Sequence, residues 1–118
     1  MTDEQRAMAT ALVKLSTFRF LPGMMLADSM GWSISQEDAD GFNQAKTLGT
    51  LEDTLPDLSD ETTVMSLLWL VKDALKGLDY PGYFLYGSDA TGYQLLTDGG
   101  GFRGATELHC FVAALAVL

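Results

Sequence analysis

The sequence predicts a small α+β domain in which about three helices pack on an antiparallel sheet. Apolar residues recur at helical spacing in Ser59–Gly77, and again in a shorter stretch at each end of the chain. Between the second and third of these helices, residues 83–97 carry β-favouring side chains on both sides of a turn-rich stretch. Since 118 residues suffice for one hydrophobic core, residues 1–118 are predicted to form a single domain.

The first helix is predicted over Thr2–Ser16. Thr2 and Gln5 fit the S/T-x-x-E/Q capping box, in which each side chain bonds the backbone N–H of the other residue. The helix has one apolar stripe, made of Met8, Ala11, Leu12 and Leu15.

Short strands and loops are predicted between residues 18 and 55. Pro22-Gly23 is a turn signal inside an apolar stretch, so we expect a short strand on each side of it. Trp32–Ser35 alternates apolar and polar residues, which favours a half-buried strand. Gln36–Asn43 is predicted to be an acidic loop, and Lys46–Leu55 to hold a further strand.

The second helix, Ser59–Gly77, is the best specified element. Ser59 is the expected N-cap, Asp60 and Glu61 favour the first turn through the helix dipole, and Gly77 suits the C-terminal end. Its predicted buried stripe consists of Val64, Leu67, Leu68, Val71 and Leu75.

Trp69 falls outside that stripe, on the flank of the helix that also carries Lys72 and Lys76. Large aromatic side chains are mostly buried, so we expect Trp69 to fold down beside the core. The alternative is that Trp69 contacts a protein partner.

The rest of the chain is predicted to hold a hairpin over residues 83–97, a glycine-rich loop at Asp98–Gly101 and a last helix at Thr106–Leu118. The last helix has an apolar face formed by Leu108, Phe111, Val112 and Leu115.

The net charge of −9 comes from 16 acidic and 7 basic residues. Such a charge argues against direct binding to nucleic acid or to an anionic membrane, and permits a basic protein partner. It can also serve solubility alone. The single cysteine, Cys110, excludes an intrachain disulfide, and the polar N-terminus is unlike a signal peptide. A soluble cytoplasmic protein is therefore expected.

The stretch from Gly99 to Gly104 matches G-x-G-x-x-G between a predicted strand and a predicted helix. The dinucleotide fingerprint also needs a second parallel strand and an acidic residue about 20 positions on, which this sequence does not supply. A flexible connection is the expected role of these glycines. An anion site formed by Gly101, Arg103 and Gly104 is the alternative.

The acidic stretch Gln36–Gly41 has the spacing of a calcium loop around Asp38 and Asp40, but glutamine and threonine stand where the two anchoring carboxylates belong. We therefore expect no metal site and no cofactor. Glu37, Asp38 and Asp40 are instead candidate contacts for a basic partner.

No catalytic constellation is evident, so the protein is not expected to be an enzyme. His109 and Cys110 are adjacent on the last helix and point about 100° apart, unlike a nucleophile and its base. One histidine and one cysteine are also too few for a structural zinc site.

Three segments together resemble a family of small phage and prophage proteins of unknown function. They are FRFLPGM at 18–24, PDLSD at 56–60 running into LLWLVKDA at 67–74, and GATE at 104–107 followed by VAAL at 112–115. Family members carry RFLPGM-like and PDLSD-like stretches and a similar last helix. The chain departs from their pattern at Glu61, Met65 and Ser66. The resemblance implies no activity and transfers no functional residue.

The sequence therefore predicts a phage-type accessory protein that acts by protein–protein binding in the host cytoplasm. Its most concrete form is an anti-CRISPR-like inhibitor of a host defence complex, with an acidic surface that meets a basic nucleic-acid-binding protein. A self-assembling structural protein, acting as a homo-oligomer, is the alternative, and a small enzyme ranks last.

Overall fold

The computed structural model of the chain describes residues 1–51, 53–77, 83–97 and 100–118. Within these ranges it has four helices and one three-stranded antiparallel sheet, so the predicted α+β class is confirmed. In chain order the elements are α1 (Asp3–Leu12), α2 (Gln36–Thr47), α3 (Glu61–Gly77), β1 (Tyr83–Ser88), β2 (Gly92–Thr97), β3 (Gly100–Gly104) and α4 (Glu107–Val117). The chain divides into two compact units, Met1–Ser66 and Leu67–Leu118.

Helix α1 begins with the predicted capping box. Thr2 Oγ1 accepts from the Gln5 N–H at 3.1 Å, and Gln5 Oε1 accepts from the Thr2 N–H at 2.9 Å. The helix ends at Leu12, four residues earlier than predicted, and turns follow it. In those turns the Leu15 carbonyl accepts a hydrogen bond from Lys46 Nζ at 2.8 Å. This carbonyl therefore has a hydrogen-bond partner although helix α1 does not continue to it.

The strands predicted around Pro22-Gly23 and at Trp32–Ser35 are wrong, although the turn itself is present. This region has isolated bridges, one between Met25 and Ser33 and one between Leu26 and Pro56. At Phe20 the side chain of Asn43 supplies the hydrogen bonds that a neighbouring strand would otherwise make. The amide of Asn43 accepts from the Phe20 N–H at 2.7 Å and donates to the Phe20 carbonyl at 2.9 Å.

The predicted acidic loop at Gln36–Asn43 is also wrong, because these residues belong to α2. Ser35 and Asp38 form a capping box, with Ser35 Oγ accepting from the Asp38 N–H at 3.1 Å. The acidic residues of the first turn suit the positive end of the helix dipole. The helix runs to Thr47, so it includes the first two residues of the strand predicted at Lys46–Leu55. The other described residues of that stretch form turns and irregular chain, so this strand prediction is wrong.

Helix α3 begins at Glu61, and its cap is Asp60 rather than the predicted Ser59. Asp60 Oδ2 accepts from the Thr63 N–H at 2.9 Å, whereas Ser59 donates to Asp57 through both its N–H and its hydroxyl. The hydroxyl of the fully buried Thr63 accepts from the Met25 N–H at 2.8 Å. The predicted stripe is confirmed at Leu67, Val71 and Leu75, which are buried, whereas Val64 and Leu68 are only half-buried.

The predicted hairpin is confirmed as β1 and β2, and the sheet order is β1-β2-β3. Leu95 of β2 is fully buried and stands opposite Leu85 on one side and Phe102 on the other. Asp98 and Gly99 of the predicted glycine-rich loop lie outside the described residues, whereas Gly100 and Gly101 begin β3. The loop prediction is therefore wrong for those two residues, because they pair with β2.

The last helix is confirmed as α4, which packs on β2 and β3. Thr106 is its N-cap and accepts from the His109 N–H at 3.3 Å. Its buried residues are Leu108, Cys110, Phe111, Ala114 and Leu115. None of the helices in the described part of the chain combines the length and apolar character needed to cross a membrane.

Candidate protein-binding surface

The negative charge is concentrated in the first unit. Met1–Ser66 holds eleven acidic and four basic residues, a net charge of −7, whereas Leu67–Leu118 holds five acidic and three basic residues, a net charge of −2. Any attraction of this chain for a basic surface therefore comes mostly from the first unit.

Helix α2 presents three of these acidic side chains to solvent. Glu37, Asp38 and Asp40 are all exposed, while Ala39 between them is buried. Asp38 is occupied by the capping box, since its Oδ2 accepts from the Ser35 N–H at 3.4 Å. Glu37 and Asp40 are three positions apart and so share the outward face of the helix. The sequence identified these residues correctly as an acidic cluster, but the structure places them on a helix instead of a loop.

The turn Asp28–Trp32 presents apolar side chains that the sequence analysis missed. Met30 is 95% exposed and Trp32 is 77% exposed, although alternation predicted a half-buried strand at Trp32–Ser35. Asp28 and Met30 have positive φ angles of 63° and 58°, so the chain turns sharply just before Trp32, where a strand was predicted to begin. The turn-forming residues Asp28, Ser29 and Gly31 were the signal that could have identified this turn.

Trp69 is 62% exposed, so the expectation that it folds down beside the core is wrong. Lys72 Nζ lies 4.4 Å from the centroid of the indole ring, which gives the exposed ring a cation–π partner. Trp69 belongs to the unit Leu67–Leu118, whereas the acidic residues of α2 belong to Met1–Ser66. Its role as a partner contact stays a prediction.

The candidate anion residues Gly101, Arg103 and Gly104 lie in strand β3. Arg103 is exposed and lines an open cleft beside the β1–β2 turn, together with Asp89 and Tyr93. The Tyr93 hydroxyl donates to Asp89 Oδ1 at 3.1 Å, and this hydrogen bond raises the pKa of the Tyr93 phenol. An anion in this cleft would therefore face the Asp89 carboxylate as well as Arg103, which disfavours its binding.

His109 and Cys110 each have a partner of their own. The hydroxyl of Thr106 lies 2.6 Å from His109 Nδ1, and the Cys110 thiol lies 3.9 Å from the Phe102 carbonyl oxygen. Cys110 is buried, and its burial raises the pKa of the thiol. A raised pKa reduces the fraction of thiolate, which is the reactive form of cysteine.

Across residues 1–51, 53–77, 83–97 and 100–118, no three His, Cys, Asp or Glu side chains are grouped so that they could hold a metal ion. Comparison with family models, curated proteins and solved structures gives no match to this chain.

Proposed function

We propose that the protein binds another protein through the acidic surface of Met1–Ser66. The observation that carries this proposal is the exposed outward face of α2, with Glu37 and Asp40, on a unit of net charge −7. The chemistry of the partner follows from that charge. A surface rich in Lys and Arg is attracted to it, whereas nucleic acid and anionic lipid are repelled.

Nucleic-acid-binding proteins are partners of this chemistry, because they use clustered Lys and Arg side chains to contact phosphates. An acidic protein that covers such a cluster competes with nucleic acid for it. The resemblance of the FRFLPGM, PDLSD and GATE segments to phage proteins favours a setting in which this competition inhibits a host defence complex in the host cytoplasm.

Self-assembly is the second candidate function, and the exposed Trp32 and Trp69 are the observation that favours it. Its difficulty is that two copies carry the same negative charge, and like charges across an interface are unfavourable. Light scattering at low and at high salt separates the two functions. A stable oligomer at both salt concentrations supports self-assembly.

Neutralising the outward face of α2 is expected to weaken binding of a basic partner. In the variant Glu37→Gln/Asp40→Asn two charges are removed, while Asp38 and the capping box remain. We expect an affinity loss of about tenfold or more, chiefly through slower association, because exposed charges steer the encounter. The measurement is affinity capture of the tagged protein from a bacterial lysate at low and high salt, followed by mass spectrometry.

The matched control is Asp3→Asn/Glu4→Gln on α1, which changes the net charge of the same unit by the same amount at another place. The proposal predicts that the wild type and this control retain a basic nucleic-acid-binding protein at low salt, and that high salt releases it. Equal recovery by both charge variants would contradict a binding site on α2, and recovery of acidic proteins alone would contradict the proposed partner chemistry.

A further inference from the structure

The turn Asp28–Trp32 exposes an unusual amount of apolar surface. Met30 and Trp32 have the highest exposed fractions of the large apolar side chains in the described ranges, at 95% and 77%. They lie two positions apart in one short turn of the first unit. Tryptophan is enriched among the residues that dominate the binding energy of protein interfaces, because it buries a large rigid surface at little entropic cost.

The backbone of this turn is held in place by its own hydrogen bonds. Ser29 donates its N–H to the Leu26 carbonyl at 3.3 Å and its hydroxyl to the Trp32 carbonyl at 3.2 Å. An isolated antiparallel β-bridge between Met25 and Ser33 joins the two chain segments on either side of the turn. These hydrogen bonds restrict the backbone of the turn, so less backbone conformational freedom is lost when it docks.

We propose that Trp32, assisted by Met30, is the anchor by which the protein docks onto an apolar helix face flanked by Lys and Arg on its partner. This inference rests on the proposed function and adds the apolar part of the same interface. Glu37 follows Trp32 by five residues, so their Cα atoms are at most about 18 Å apart. One partner surface can therefore meet both.

Charge decides between this partner and a second copy of the chain. Asp28 in the turn lies 3.7 Å from Arg6 Nη2, so its charge is partly compensated, whereas Glu37 and Asp40 face solvent on α2. A second copy docked on the turn would bring the same acidic residues against them. An apolar helix face with basic flanks is instead attracted by Glu37 and Asp40.

The test uses a synthetic amphipathic helical peptide with a leucine face and lysine flanks as the probe. A peptide in which glutamate replaces lysine is the control. Calorimetric titration of the full chain with the lysine peptide is expected to give saturable binding. Trp32→Ala is expected to weaken this binding about tenfold or more. Leu48→Ala, which removes another exposed apolar side chain of the same unit, should change it less than about twofold.

A second variant, Met30→Gly, keeps the turn, since glycine accepts the positive φ of this position, and is expected to weaken binding by a smaller factor than Trp32→Ala.

Equal effects of Trp32→Ala and Leu48→Ala would contradict the role of Trp32 as an anchor and leave charge-driven binding by α2 intact. The role of Trp32 as an anchor would also be contradicted if the glutamate peptide bound as tightly as the lysine peptide, or if the lysine peptide did not bind. The same holds if the protein formed an oligomer that Trp32→Ala dissociates. A failure of lysate capture would count against the proposed function itself.

Discussion

Gly104→Ala is expected to destabilise the second unit by about 3 kcal/mol or more. A Cβ at Gly104 would collide with the Cβ of His109, and would lie 2.8 Å from the Cys110 nitrogen and 2.9 Å from the His109 carbonyl carbon. Two of these atoms belong to the backbone of α4, so the clash is relieved only if the helix moves away from β3. That movement would open the packing around Phe111, which is fully buried. Urea unfolding followed by circular dichroism measures the loss.

Gly101→Ala is the matched control on the same strand. The added Cβ would meet Leu96 Cδ2 at 3.0 Å, and Leu96 is a partly exposed side chain that can rotate away. We expect a loss of less than about 1 kcal/mol. Equal losses for the two variants would show that strand propensity, and not the close approach of α4, determines the effect at Gly104.

Asn43→Ala is expected to destabilise the first unit by about 2–4 kcal/mol, because two backbone groups lose their partner at once. The Asn43 amide is the partner of the Phe20 N–H and of the Phe20 carbonyl, at 2.7 and 2.9 Å. Phe20 is 1% exposed and its ring packs edge-on against Phe18, with ring centroids 5.1 Å apart. The same amide joins α2 to this buried segment, so its loss should also loosen the helix that carries the acidic face.

Gln44→Ala tests whether any polar truncation on α2 has such an effect. Gln44 is the next residue and is exposed, so its replacement should change the unfolding free energy by less than about 0.5 kcal/mol. Thermal unfolding of both variants beside the wild type gives the comparison. Similar midpoints for Asn43→Ala and the wild type would mean that the Phe20 backbone groups find water or another partner without cost.

Sequence patterns predicted the elements that depend on local chemistry. The capping box of Thr2 and Gln5, the apolar stripe of α3 and the β1–β2 hairpin each depend on residues close in the chain. Helix α2 has a local signal too, but its capping box uses Asp38 in place of glutamate or glutamine. By local pattern, the acidic, glycine-containing sequence therefore favours a loop.

Elements that depend on distant contacts were not predictable from local pattern. Phe20 is extended without a strand partner because Asn43, 23 residues later, supplies its hydrogen bonds. Strand β3 is rich in glycine, which favours loops, and it is a strand because β2 pairs with it. The residues of the candidate site were predicted only in part. Its acidic residues follow from charge alone, whereas the exposure of Trp32 depends on the positive φ angles of the turn before it.

We propose that residues 28–40 of the first unit form the surface that meets a basic partner. Titration of the isotopically labelled chain with the lysine peptide, followed by backbone amide chemical shifts, tests it most directly because every segment reports separately. We expect the largest shift changes to fall within residues 28–40 and to become smaller at high salt, because salt screens the charged part of the contact. Changes centred on Trp69 or on the Arg103 cleft of the second unit would contradict it.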